Sequence, residues 1–513
     1  MGGEDGPKTW EVHGVAVRAV SEVNSGEYDA VVLVLADGVA PPQALEDLVA
    51  AARALDAALD AHVSVLASAR VSGGRLVLAP TGPLTPYDDV RSVYEASLAG
   101  VRRAMAAGAA RPALVLQPHP AWPAAELVAL LGALEALYVP LQIRESFPEK
   151  AHAVKALGVY GEGVRSPLEQ IIADGAALEV SRGLARDIGG ADPERMTPLA
   201  TAQLVRDAFA GSCVRVRVEE RREELERRYP LLAAVDRAAA SVPRHRGCVI
   251  FLEYEPESYE RTLMFVGKGV TYDTGGCDIK VGGAMAGMSR DKCGAAAVAG
   301  FLKACELLRP RLKVVAALGM VRNSVGEQCY VADELIRSRR GLAVRVGNTD
   351  AEGRMVMGDL LAEMASRALD EREPHLYTVA TLTGHAVRAY GEPYGAVLDN
   401  HAARREGHAA RLQAAGARLG DMLEVSTLRR EDLAAHAGRA PGDDLQQADS
   451  LPSSATPRGH QAPAAFLLRA AGLERGATRY SHLDVAGAAG CLPLPPTAAP
   501  LLALAALHGL VRA

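Results

Sequence analysis

The segment Asn348-Thr349-Asp350-Ala351-Glu352-Gly353-Arg354 constrains this chain more than any other. It sets two carboxylates and a guanidinium at alternate positions, so an extended loop would point all three side chains the same way. A mostly apolar stretch, Gly341 to Val346, precedes it. Met355 to Leu369 follows, with apolar residues at helical spacing. The context reads as strand, short loop, helix, with the charges at the carboxyl end of the strand, where α/β folds hold their ligands. Two acids this close repel each other unless a cation holds them, and a divalent metal is the simplest such cation.

Partners for a metal lie upstream, in Val266-Gly267-Lys268-Gly269-Val270-Thr271-Tyr272-Asp273-Thr274-Gly275-Gly276-Cys277-Asp278-Ile279-Lys280. Leu263 to Val266 is expected as a short buried strand. The glycines after it allow a close backbone approach or a positive φ. Lys268, Asp273 and Lys280 would leave the ensuing loop. Asp291 shortly precedes a strong helix pattern, Ala295 to Leu308.

These blocks resemble the cytosolic leucyl aminopeptidase family, the two-metal peptidases marked by an NTDAEGR motif. The motif is complete, and a GKG-x-x-x-D-x-GG-x-x-x-K segment precedes it at the family's distance. The similarity runs from about Leu178 to the C-terminus, including Ala380-Thr381-Leu382-Thr383-Gly384 and His482-Leu483-Asp484-Val485-Ala486-Gly487. The resemblance implies that Lys268, Asp273, Asp291, Asp350 and Glu352 bind two divalent ions, zinc in the first place and manganese as the alternative. Asp273 and Glu352 would bridge them, Lys268 and Asp291 would complete one site, and Asp350 the other. Lys280 would stabilise the tetrahedral oxyanion, and Arg354 would hold a bicarbonate that shuttles the proton. Met288, Thr381, Gly384, Ala486 and Ala489 fall at substrate-binding positions.

The implied activity is removal of the first residue from peptides with a free N-terminus, by a metal-bridged hydroxide. The implied assembly is a homo-oligomer, a hexamer by family analogy. Residue chemistry agrees with the ligand set. Four carboxylates offset two divalent ions, about −4 against about +4. A lysine ligand must lose its proton against a reference pKa of about 10.4, which a neighbouring dication makes feasible. A guanidinium has no accessible neutral form, so Arg354 cannot itself be a base. The pocket departs from the family at His385, Asp278 and Ala489. Those departures are the grounds for the alternative, a non-catalytic member acting as a structural or peptide-binding protein.

A chain of 513 residues with 49% apolar side chains can bury the cores of two to four domains. A net charge of −6 gives no reason to expect nucleic acid or an anionic membrane as partner. Seven cysteines, none in a C-x-x-C pair, read as free thiols of a reducing compartment. Cys277 and Cys293 fall inside the metal blocks, but oxygen ligands already suffice there. The N-terminus, Met1 to Gly6, has no signal-peptide pattern, and Gly6 breaks the myristoylation motif. The apolar runs Leu127 to Leu141 and Pro500 to Val511 are interrupted or too short for a bilayer. A soluble cytoplasmic protein is expected. A phosphate loop and H-E-x-x-H are both missing, which argues against a nucleotide-binding protein and a single-zinc peptidase.

The expected fold is α/β in two domains. A small N-terminal α/β domain, 1–165, would precede a larger catalytic domain, 166–513, with a mixed sheet flanked by helices. In the first, Val31 to Leu35, Val63 to Ala67, Leu76 to Ala79 and Ala113 to Leu116 read as strands. Gln43 to Leu59, Val90 to Ala107 and Ala124 to Leu137 read as helices, an alternation that calls for a largely parallel sheet. Gln142 to Pro167 reads as a connector, and Ala440 to Pro463 as the longest loop. His401-Ala402-Ala403-Arg404 recurs as His408-Ala409-Ala410-Arg411, expected as a coincidence on one helix face.

Overall fold

The computed structural model describes residues 8–151, 153–451 and 455–512. The chain forms two compact units: Met1–Gly183 with Ala417–Gly420 and Val511–Ala513, and Leu184–Gly416 with Asp421–Leu510.

The first unit holds a seven-stranded sheet in the order Thr9–Val12, Val15–Ala19, Ala156–Gly161, Pro112–Leu116, Ala30–Leu35, Arg75–Pro80, Ser64–Ala67. Its five inner strands are parallel, and only the outermost strand on each side is antiparallel to its neighbour. Ala30–Leu35 is buried at every position, as a strand covered on both faces must be. The helix Arg91–Ala106 packs on it and against Ala125–Glu135.

The segment expected as a connector is corrected here. Residues 142–167 contain the strand Ala156–Gly161, in the middle of the sheet. Its two glycines dilute the β signal in sequence. Gly158 is there for space: a Cβ would lie 2.7 Å from the Tyr28 ring.

The second unit is built on an eight-stranded mixed sheet. Its order is Leu423–Thr427, Gly395–Asp399, Arg479–Asp484, His375–Ala380, Thr262–Asp273, Lys313–Asn323, Cys248–Tyr254, Val214–Glu219. The four strands from Arg479–Asp484 to Lys313–Asn323 run parallel. Thr262–Asp273 lies among them, and its side chains alternate between two helical layers. Phe265 meets Phe301 of the helix Cys293–Leu308, ring centroids 5.2 Å apart. Met264 and Val266 instead join a buried cluster with Val356 and Leu360 of the helix Glu352–Arg367. Helices Pro230–Ala240 and Gln461–Ala471 close that cluster.

Three further expectations change. The short strand at 263–266 extends from Thr262 to Asp273, so Lys268 is a strand residue. Gly267 and Gly269 serve close approach and not positive φ; a Cβ on Gly267 would lie 2.7 Å from Ala295 Cα. The loop proper begins after Asp273, where Gly275 has φ +88°. The two His-Ala-Ala-Arg copies start separate helices, His401–Arg405 and His408–Leu419, so they do not share one face.

Candidate active site

The carboxyl ends of the four parallel strands supply Lys268 and Asp273, Asn323, Thr381 just past Ala380, and Asp484 with Ala486 beyond it. The NTDAEGR segment comes from elsewhere, a three-stranded sheet of Leu335–Arg337, Ala343–Arg345 and Leu445–Gln446. It leads into the helix at Glu352. The segment is therefore not extended throughout. Asp350 and Glu352 turn together toward Asp273. Arg354, two residues into the helix, lines a different cavity.

Asp273, Asp350 and Glu352 each place a carboxylate oxygen within 4.8 Å of the others. Two lysines offset part of this charge. Lys268 Nζ donates to Asp291 Oδ1 at 2.7 Å and to the Thr381 carbonyl at 3.0 Å, and lies 2.8 Å from Glu352 Oε1. Lys280 Nζ lies 2.9 Å from Asp273 Oδ2 and donates to Asp350. Burial works against both ammonium groups, but the surrounding carboxylates outweigh it and both pKa values end raised. Burial and the charges of Asp273 and Glu352 push the Asp350 carboxyl up to about 7. Burial also drives Asp291 well above the carboxylate range, although Lys268 opposes the shift.

These residues fit a divalent metal. Among the described residues, the three-carboxylate group is the only set of acids, histidines or cysteines close enough to hold an ion. Among the described residues Asp291 Oδ2 is buried without a hydrogen-bond partner. An oxygen held dry in that way is costly unless a cation takes it up. Cys293 is buried at the start of its helix and Cys277 is exposed, so neither joins the group.

A cavity of about 810 Å³ opens over the cluster. Met288, Thr381, Gly384 and Ala486 line it, together with Ile279, Val281, Val387 and Leu492. Ala489 is buried in the turn behind Gly490, away from the lining. A smaller cavity of about 220 Å³ adjoins on the far side of Asp350 and Glu352 and is lined by Arg354, His436, Arg439 and Arg458. Burial brings the Arg354 guanidinium down to about 10, so it stays charged at neutral pH. Its Nη1 donates to the Gln447 carbonyl at 3.0 Å, and its Nε is buried without a partner among the described residues.

Several residues that hold the site carry no sequence motif. The Gln447 side chain accepts from the N–H groups of Gly347 and Asn348 and donates to the carbonyls of Asn348 and Ala351, so one amide fixes the whole loop. Asn323 donates to Asp273 Oδ1 at 2.8 Å and to the Thr349 carbonyl at 3.1 Å. The Tyr330 hydroxyl donates to the same carbonyl. The Asp278 carboxylate accepts from the Thr349 N–H at 2.7 Å and so ties the two charged blocks together. His385 lies outside the cavity lining, its Nδ1 2.7 Å from His460 Nδ1.

A model of the cytosol aminopeptidase family catalytic domain matches residues 183–497. The chain belongs to the cytosol aminopeptidase family. It is 41% identical over 509 residues to "Putative aminopeptidase W07G4.4" of Caenorhabditis elegans, covering 96% of this chain and 97% of that one. It is 33% identical over 313 residues to a "Probable cytosol aminopeptidase" of Chlamydia trachomatis, covering 60% and 58% of the two chains. Among solved structures it resembles the bottromycin maturation enzyme BotP in complex with Mn, with TM-score 0.77 and 25% identity over 94% of this chain and 98% of that one.

Proposed function

We propose that this protein is a two-metal aminopeptidase that removes the first residue from peptides with a free α-amine. The observation that carries the reading is the convergence of Asp273, Asp350 and Glu352, flanked by Lys268, Asp291 and Lys280, at the floor of an open cavity. Lys268, Asp273, Asp291, Asp350 and Glu352 would hold the ions between them. Zinc and manganese both suit this oxygen-rich set, and a BotP structure contains manganese. Bound there, the ions would supply Lewis acidity toward a water and the scissile carbonyl.

The chain's own residues then divide the work. Lys280, already directed at the cluster by Asp273 and Asp350, stays an ammonium and faces the oxygen on which negative charge develops. Arg354 offers a buried Nε–H, unpartnered among the described residues, to a small anion such as bicarbonate in the adjoining cavity. Apolar walls at Met288, Val281, Val387 and Leu492 accept an apolar first side chain. As an apolar pocket discriminates by only about 1–3 kcal/mol per methylene-sized change, selectivity among such residues is graded. On the same reading the protein works in the cytoplasm as a homo-oligomer, a hexamer by family analogy. Among the described residues no helix is long and apolar enough to cross a membrane.

The test is a panel of chromogenic aminoacyl substrates assayed with zinc or manganese, each beside its N-acetylated form. Hydrolysis of the free amines and none of the acetylated forms is expected. Equal cleavage of both forms would overturn the exopeptidase reading. No cleavage of any substrate would favour the non-catalytic alternative.

A further inference from the structure

We propose that Cys277 and Cys329 are a peroxide-oxidisable dithiol at the mouth of the cavity, and that their disulfide pins the loop carrying Lys280. Their Sγ atoms lie 3.0 Å apart, although the two residues are 52 positions apart in the chain. Cys277 is exposed and lines the cavity; Cys329 is half-buried behind it. A disulfide needs a separation of about 2.05 Å, so the sulfurs would close by about 1 Å. The backbone on the Cys277 side can follow, because Gly275 and Gly276 immediately precede it.

What the bond would restrain is explicit. Cys277 is bonded in sequence to Asp278, whose carboxylate holds the Thr349 N–H, and lies three residues before Lys280. Cys329 precedes Tyr330, whose hydroxyl holds the Thr349 carbonyl. The thiols therefore join the two segments that grip Thr349 from opposite sides, and Asp350 follows it directly. In chemical terms, the Cys277 sulfur attacks a hydroperoxide, the O–O bond breaks, and an alcohol or water leaves with one proton. Cys329 then displaces water from the resulting sulfenic acid. Two thiols give up two electrons and two protons, and one peroxide takes them. A dithiol reductant reverses the change, which suits a reducing compartment where such bonds are transient.

The experiment treats the full chain with hydrogen peroxide, blocks residual thiols, and maps peptides by mass spectrometry. A peptide pair joined at Cys277 and Cys329, released by dithiothreitol, is expected. In C329S, Cys277 should instead be trapped as a sulfenic acid by dimedone. Amide exchange across residues 274–281 should slow about tenfold in the oxidised protein. The rate arm rests on the aminopeptidase reading: kcat should fall by up to about a hundredfold on oxidation, the cost of displacing a catalytic group by about 1 Å, and recover on reduction. C329S should keep its activity in peroxide. Absence of the joined peptide overturns the dithiol, and a joined peptide with unchanged exchange overturns the restraint. An inactive reduced protein would count against the aminopeptidase reading alone, since mapping and exchange do not depend on turnover.

Discussion

The strand His375–Ala380 joins two buried polar clusters of opposite character. At its amino end His375, Tyr377, His408, Ser481 and Asp399 form a closed network. The Tyr377 hydroxyl lies 2.8 Å from His408 Nε2, His375 Nε2 lies 2.9 Å from Ser481 Oγ, and Ser481 donates to Asp399 at 2.7 Å. Just past its carboxyl end Thr381 touches Asp291 and Lys268, where four carboxylates crowd two lysines. A single carboxylate, Asp399, is taken up there by the Ser481 hydroxyl and the His408 ring, and the network can be sealed. Carboxylates in excess cannot, and the cluster that holds them lies under an open cavity with Asp291 Oδ2 unpaired among the described residues. The first cluster is architecture; the second is poised for cations.

Removing charge from the second cluster should have the largest effect. Asp273→Ala or Glu352→Ala takes away a carboxylate of the proposed ligand set, so hydrolysis should vanish in a steady-state assay. Full activity in either variant would sink the two-metal assignment. Lys280→Ala should be milder and different in kind, lowering kcat by roughly 10²–10³ with metal content near normal, as for loss of an oxyanion donor. Proportional loss of metal would make Lys280 a ligand or a structural group.

The histidine end should respond only in stability. Burial first, then the neighbouring His408 and His508, hold His375 well below its usual pKa, so it is neutral in the fold. Below an unfolded value of about 6.5 the unfolded chain binds the proton that the native chain refuses. Stability is thus retained above that pH and lost as pH falls below it, by up to about 1.4 kcal/mol per unit for this group. Denaturant midpoints measured from pH 7 down to 5 should fall in wild type and fall less in His375→Gln. Identical slopes would show that the cluster titrates elsewhere.

Much of the second cluster was legible in sequence because its residues carry formal charge at fixed spacing. Lys268, Asp273, Lys280, Asp291, Asp350 and Glu352 do converge. Their supports were not legible. Gln447, Asn323 and Tyr330 are single polar residues in long segments, and only the fold shows that each meets the 347–351 backbone. Asp278 and His385 stood out as departures, yet their partners Thr349 and His460 are 71 and 75 residues away. Alternation along an assumed extended loop aims Arg354 the same way as the carboxylates; the helix beginning at Glu352 instead sets it in the smaller cavity, which Asp350 and Glu352 also line. In the fold, the strand Ala156–Gly161 was hidden by its glycines, of which packing against Tyr28 requires Gly158 and packing against Val164 and Leu168 requires Gly161.

The central claim is that the carboxylate cluster binds two ions and works through them. Its most direct test is elemental analysis of the stripped protein as manganese or zinc is returned, with hydrolysis of a free-amine substrate followed in the same samples. About two ions per chain, with activity rising as they fill, is the predicted result. Saturation at one ion, or activity that persists in the stripped protein, would contradict it.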